Sequence, residues 1–209
     1  MQIKEISDRV KNIILHPKQE WNVIQFEQAS TKELLLQYII PIAGVAAIAT
    51  FIGYGAFGIN TGVSRVGGFR TGIILAINQF IGTIGITVLG GYIIDALAPY
   101  HRAEKNLESS MQLMVYAYTP VMIGNILNII PSLSMIGNIF GLYGVVLLYF
   151  GITPMKHVSQ QKKTVYLILI LFAIFILNLI IGYVLNGFFG DPYSSPNQSN
   201  IPPSSLYST

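Results

Sequence analysis

Four long stretches of the chain carry no Lys, Arg, Asp or Glu: Leu34 to Ser64, Thr71 to Ile94, Ser109 to Met155 and Thr164 to Gly190. Their apolar character is continuous, and a helix needs about 20 such residues to cross a hydrocarbon core. A transmembrane barrel would instead show short segments of alternating polarity. The third stretch is more than twice the length of one crossing, and Ile130, Pro131 and Ser132 divide it. The pattern therefore predicts five spanning helices at about 31–57, 71–98, 109–130, 133–153 and 164–189. Pro41 and Pro120 lie inside the first and third and should bend them, and Pro154 should follow the end of the fourth.

Ahead of these helices, Ile3, Ile6, Val10, Ile13 and Ile14 recur at helical spacing with charged residues between them. Such a stripe predicts an amphipathic helix lying on the membrane or against the bundle. His16 and Pro17 interrupt it, and Pro17 suits the first turn of a second short helix. That helix presents Trp21, Val23, Ile24 and Phe26, with the single tryptophan expected as a headgroup anchor. Ser30 followed by Glu33 has the form of a capping box at the start of the first spanning helix. The resulting plan is an all-α integral membrane protein: a cytoplasmic amphipathic segment over 1–30, a five-transmembrane-helix bundle over 31–190, and a tail over 191–209. The tail is rich in Ser, Pro, Asn and Tyr, lacks the apolar content to pack, and is expected to be disordered.

Composition agrees with this plan, since 52% hydrophobic against 10% charged residues is the wrong balance for a soluble surface. Charge adds an orientation. With five crossings, one side holds Lys4, Arg9, Lys11, Lys18, Lys32, Arg102, Lys105, Lys156, Lys162 and Lys163, and the other only Arg65 and Arg70. Basic residues favour the cytoplasmic side, so the N-terminus is expected inside and the tail outside. The loop from Pro154 to Lys163 has three cations and no acid, and should attract anionic lipid at about 1 kcal/mol per charge. The first twelve residues mix five charges with isolated aliphatics and do not read as a cleaved signal. Zero cysteines exclude disulfides, cysteine-ligated metals and thiol catalysis.

Candidate chemistry is sparse. No ionisable group falls at mid-membrane, where proton relays and transport sites concentrate. Asp95 lies at the cytoplasmic end of the second helix and is expected to pair with Arg102 or Lys105. His16, His101 and His157 lack ligand spacing, so no metal site is expected. No nucleophile elbow, P-loop, dinucleotide fingerprint or HExxH motif occurs, so no catalytic residues, cofactor or enzyme activity, and no nucleic-acid partner, are expected. Polar groups inside the helices include Asn78, Asn125, Asn128 and Asn138. Asn125 and Asn128 stand three apart on one helical face, either lining a polar path or hydrogen-bonding between helices. Gly137, Gly141, Gly144 and Gly151 form one stripe on the fourth helix, beginning with a GxxxG pair. Their partner is either another helix of this chain or a second copy in a homo-oligomer.

The order of HPKQEW at His16 to Trp21, DALAP at Asp95 to Pro99, YAYTP at Tyr116 to Pro120, IIP at Ile129 to Pro131 and GLYGVVLLYFG at Gly141 to Gly151 resembles the Yip family. These are Ypt/Rab-interacting proteins with a five-helix Yip domain, and the likeness is to short prokaryotic members over roughly residues 10 to 190. The resemblance implies five helices, a cytoplasmic N-terminus and residence in a prokaryotic cytoplasmic membrane. Eukaryotic members are associated with Rab-type GTPases and with traffic between endoplasmic reticulum and Golgi. Their cytoplasmic N-terminal region is longer than the roughly thirty residues found here.

The function expected from these readings is a non-enzymatic interaction or membrane-organising module in the lipid bilayer. Its cytoplasmic face, carrying Trp21, Asp95, Arg102, Lys156, Lys162 and Lys163, would meet a protein partner or anionic lipid. The alternative is a small-solute or ion transporter or channel built on the intramembrane asparagines, either as a single chain or as a dimer.

Overall fold

The computed structural model describes residues 3–27, 29–60 and 65–192, and these are almost wholly helical. The tail from residue 193 onward, to which the expectation of disorder applies, lies outside the described residues. Helix α1 (Ile3–Leu15) turns its stripe inward: Ile13 is fully buried and Ile6, Val10 and Ile14 pack around it. Pro17 opens α2 (Pro17–Ile24), whose inner side is Glu20, Trp21 and Ile24. The capping box forms as expected. Ser30 Oγ accepts the Glu33 N–H at 3.2 Å, and Glu33 Oε2 accepts the Ser30 N–H at 3.1 Å.

The first long rod, Thr31–Phe57, is not a uniform α-helix. A short α3 (Thr31–Leu34) passes through a wide π segment at Leu35–Ile39 into α4 (Ile40–Ile52), and a second π segment closes it at Gly53–Phe57. The Ile40 N–H reaches back five residues to the Leu35 carbonyl, so the helix widens ahead of Pro41, where a regular turn would collide with the proline ring. A two-residue ladder, β1 (Ile59–Asn60) on β2 (Arg65–Val66), then turns the chain into α5 (Phe69–Leu97). A 3₁₀ turn carries α5 on to His101 through Pro99, beyond the expected end at residue 98.

Two departures from expectation matter most. The third helix is broken rather than bent: α6 (Leu107–Ala117), capped by Asn106, stops at Tyr118, and α7 (Thr119–Ile126) restarts with Pro120 in its first turn. A 3₁₀ turn ends it at Leu127–Ile129. The fourth helix, α8 (Ser134–Lys156), runs through Pro154 instead of ending before it. Proline costs least near a helix end, where only one backbone bond is lost, and here the last turn ends at His157 in a left-handed conformation (φ 50°). Helix α9 (Gln160–Phe189) completes the chain.

By length and composition, Thr31–Phe57, Phe69–His101, Pro131–Lys156 and Gln160–Phe189 are each able to cross a membrane. The fifth expected helix is present only as the α6–α7 pair. α5 packs on α4, α6 and α9, while α8 packs on α2, α6 and α7. The core gathers where α1 and α2 meet the bundle, around Trp21, Tyr38, Tyr116, Leu147 and Ile152. α9 exposes Phe172, Phe175, Tyr183 and Phe188, as a lipid-facing helix would.

The glycine stripe of α8 is covered largely by the same chain. A Cβ on Gly137 would stand 2.5 Å from the Gly124 carbonyl oxygen of α7, and one on Gly144 would stand 2.9 Å from the Ala117 carbonyl. Gly151 receives Leu113 and the Trp21 indole. Gly141 is the loose member, with only a Val121 methyl at 4.0 Å.

Candidate functional site

Three clusters of polar side chains stand out. In the first, Arg9 of α1 forms ion pairs with Glu20 and Glu27 and lies over the Tyr116 ring at 5.5 Å. Burial disfavours the guanidinium charge, but the Glu27 hydrogen bond and the neighbouring carboxylates outweigh it and hold the Arg9 pKa above its ordinary value. Around Arg9 lies a cavity of about 390 Å³ that Glu5, Asp8 and Glu33 also line. Gln112 donates to the Glu27 carbonyl at 2.9 Å and Tyr143 donates to the Ile14 carbonyl at 2.7 Å. These bonds clamp the N-terminal helices onto α6 and α8.

Trp21 belongs to this clamp and is not an exposed anchor. Its exposure is 1%, its ring meets Tyr116 edge-on at 6.4 Å, and Tyr116 in turn meets Tyr38 at 5.1 Å. Tyr38 closes the chain of contacts through a 2.9 Å hydrogen bond with Thr119. A bundle that leaves a gap at Gly151 can take an indole, and burial of that ring against α8 outcompetes the interface.

The second cluster corrects the partner expected for Asp95. Arg102 is exposed in a left-handed turn (φ 55°) and Lys105 is exposed, whereas Lys156 is fully buried with its Nζ 3.7 Å from Asp95 Oδ1. Lys156 Nζ also donates to Ser110 Oγ at 2.7 Å and to the Asn106 carbonyl at 3.1 Å, so the ammonium is surrounded by acceptors. Continuation of α8 through Pro154 is what carries Lys156 inside. Lys163 is buried as well, 3.7 Å from the Tyr149 ring centroid. Of the six residues expected on a contact face, Trp21, Asp95, Lys156 and Lys163 are therefore drawn inward, Lys162 is half-buried, and Arg102 alone is open. The histidines are scattered. His16 precedes α2, His101 stacks against Tyr166, and His157 pairs with Glu104 at 2.7 Å.

The third cluster holds the intramembrane carboxamides. Asn128 donates to Thr50 Oγ1 at 3.2 Å and to Gln79 Oε1 at 3.1 Å, tying α4 to α5 through the end of α7. Asn78 donates to Asn186 of α9 at 3.3 Å. Asn125 lines a cleft shared with Asn78, Gln79, Asn178 and Asn186. Asn128 adjoins the same group through Gln79, which also lines that cleft. Asn138 is exposed on α8 and joins neither group. Asn186 was not legible as a candidate, since nothing in the local sequence marks which side of α9 meets α5.

The match to known proteins follows the same elements. The Yip1 domain family model matches residues 11–182, from within α1 into α9. No curated protein and no solved structure matches the chain. With apolar helices of membrane-crossing length throughout the matched region, this is a multi-pass membrane protein, and the chain belongs to the Yip1 domain family.

Proposed function

We propose that the protein is a five-crossing, non-enzymatic interaction module whose cytoplasmic face is built by α1, α2 and the loops before α6 and α9. The fifth crossing is the α6–α7 pair. From Leu107 to Ile129 it spans about 35 Å at ~1.5 Å per residue, and it is packed among α4, α5 and α8. Broken backbone is tolerated at membrane depth where protein surrounds it, which suits the interruption at Tyr118. An odd number of crossings, with ten of the twelve basic residues on one side, supports a cytoplasmic N-terminus and an external tail.

The observation that carries the interaction reading is the outer side of the N-terminal clamp. Although Arg9 and Trp21 fix this segment to the bundle, it still exposes Leu15 at 59%, Val23 at 52% and Phe26 at 82%. Lys4, Lys11, Lys18 and Lys32 of the same segment are exposed as well. Apolar side chains among cations on a rigid support suit a protein partner or an anionic lipid surface. Crosslinking of the full chain in native membranes tests the reading. Wild type should give a discrete crosslinked species, and the combination Val23→Ala, Phe26→Ala, Lys4→Gln and Lys11→Gln should lower its yield at least fivefold with the fold intact. Equal yields, or no species from wild type, would contradict it.

The carboxamide cluster favours a second reading, solute movement across the bilayer. Flux in vesicles that Asn125→Leu abolishes would place that reading first.

A further inference from the structure

Away from the α1–α2 face, a cleft of about 310 Å³ opens between α5, α7 and α9, toward the end of the bundle where α7 and α9 finish. Its polar lining is Asn78, Gln79, Thr83, Asn125, Asn178 and Asn186, and among the described residues no Asp, Glu, Lys, Arg or His borders it. Two of these groups are buried without a partner: Asn78 Oδ1 accepts no hydrogen bond, and Gln79 Nε2 donates none. Tyr118, at the break between α6 and α7, lines this cleft and also a second one of about 120 Å³. The second is apolar, walled by Met114, Val121, Gly141, Leu148, Leu171 and Ile174. Leu171, Ile174, Asn178, Ile181 and Leu185 follow one stripe of α9 at offsets of 3, 7, 10 and 14. The polar and apolar clefts are thus successive parts of one seam along that stripe, where α9 leans on α5 and α8.

We propose that this seam binds a neutral lipid with a hydroxylated headgroup, such as a diacylglycerol or a glycosylated glycerolipid, with the headgroup-proximal methylenes of one acyl chain in the apolar part. The gradient from carboxamides to aliphatics matches an amphiphile lying along the bundle. A hydroxyl both donates and accepts, which is what a free Gln79 N–H and a free Asn78 oxygen require. A charged headgroup would lose its water here and meet no counter-charge in the lining, since Arg70 lies beyond it beside Gly190. Residues around Gly141 and Gly182 leave the room: a Cβ on Gly182 would meet nothing within 4 Å. This site is separate from the cytoplasmic face, and its test does not depend on that reading.

The test uses the full-length protein in phosphatidylcholine vesicles with a photoactivatable diacylglycerol, and with a photoactivatable phosphatidylglycerol as the anionic comparison. Gly182→Leu fills the polar part and Gly141→Leu the apolar part, while Gly187→Leu, also without neighbours within 4 Å, serves as a control outside the seam. Trp21 emission reports that each variant is folded. Diacylglycerol should label α7 and α9 peptides of wild type and Gly187→Leu, and each filling variant should lose that labelling at least fivefold. Phosphatidylglycerol should label the same peptides at least fivefold less. Equal labelling by both lipids, or labelling that neither filling variant reduces, would overturn the proposal. Loss in Gly141→Leu alone would mean chain burial without headgroup recognition, and protection by free glycerol would reassign the cleft to a soluble polyol; either overturns it too.

Discussion

Lys156→Met should cost the bundle about 3 kcal/mol of stability. The methionine matches the length of the lysine stem, so packing in the fully buried site is largely preserved and the loss is electrostatic. What remains is Asp95 at the junction of three helices with its cation gone, and Ser110 Oγ and the Asn106 carbonyl without their donor. Removing one partner of a buried pair costs about 3 to 5 kcal/mol. The lower end applies because the Asp95 side chain keeps 13% exposure and some access to water. Asp95→Asn in the Lys156→Met background should recover most of the loss, since the carboxamide still accepts from Ser110 and carries no charge. Chemical unfolding in detergent, followed by emission of the single tryptophan, measures all four members of the cycle. A Lys156→Met protein as stable as wild type, or a double variant showing the simple sum of the two losses, would refute the pairing.

Gly137→Leu should be at least as damaging, again about 3 kcal/mol or more. The contact is reciprocal: a Cβ on Gly137 meets the Gly124 carbonyl oxygen at 2.5 Å, and a Cβ on Gly124 meets the Gly137 carbonyl at the same distance. Backbone faces backbone, so no flexible side chain can yield and α7 must move off α8. Leucine gains at most about 0.8 kcal/mol in helix propensity over glycine, which is too little to compensate. Helix association in lipid depends on close packing more than on the hydrophobic effect, so separation of this pair removes what holds it. Gly187→Leu on α9, with nothing within 4 Å, should leave stability unchanged or raise it by no more than that propensity gain in the same assay. Equal effects at the two positions would show that the α7–α8 contact is not as close as described.

Features that depend on local chemistry were legible in the sequence. The Ser30–Glu33 box, the helix start at Pro17, the break at Pro131 and the long uncharged runs need only neighbours in the chain to act. The glycine stripe was legible as a place of close approach, but its partner was not, because spacing on one helix is silent about which helix meets it. Lys156 and Lys163 lie in a basic stretch that reads as a solvated loop. Their burial depends on α8 outlasting Pro154 and on the Tyr149 ring being placed to receive an ammonium. Trp21 has the same history, since an indole serves an interface or a core equally well and the gap at Gly151 decides between them. Each miss is a choice made by tertiary packing.

The number of crossings is the point on which orientation, the cytoplasmic face and the role of α6–α7 all depend. Four crossings would return the tail to the side of the N-terminus, and five place it opposite. The chain has no cysteine, so single cysteines can be introduced without a background. In sealed cells, a membrane-impermeant maleimide should label Ser205→Cys in the tail and leave Lys4→Cys and Lys105→Cys unreacted until the membrane is opened. Labelling of Lys4→Cys and Ser205→Cys from the same side would contradict the five-crossing bundle.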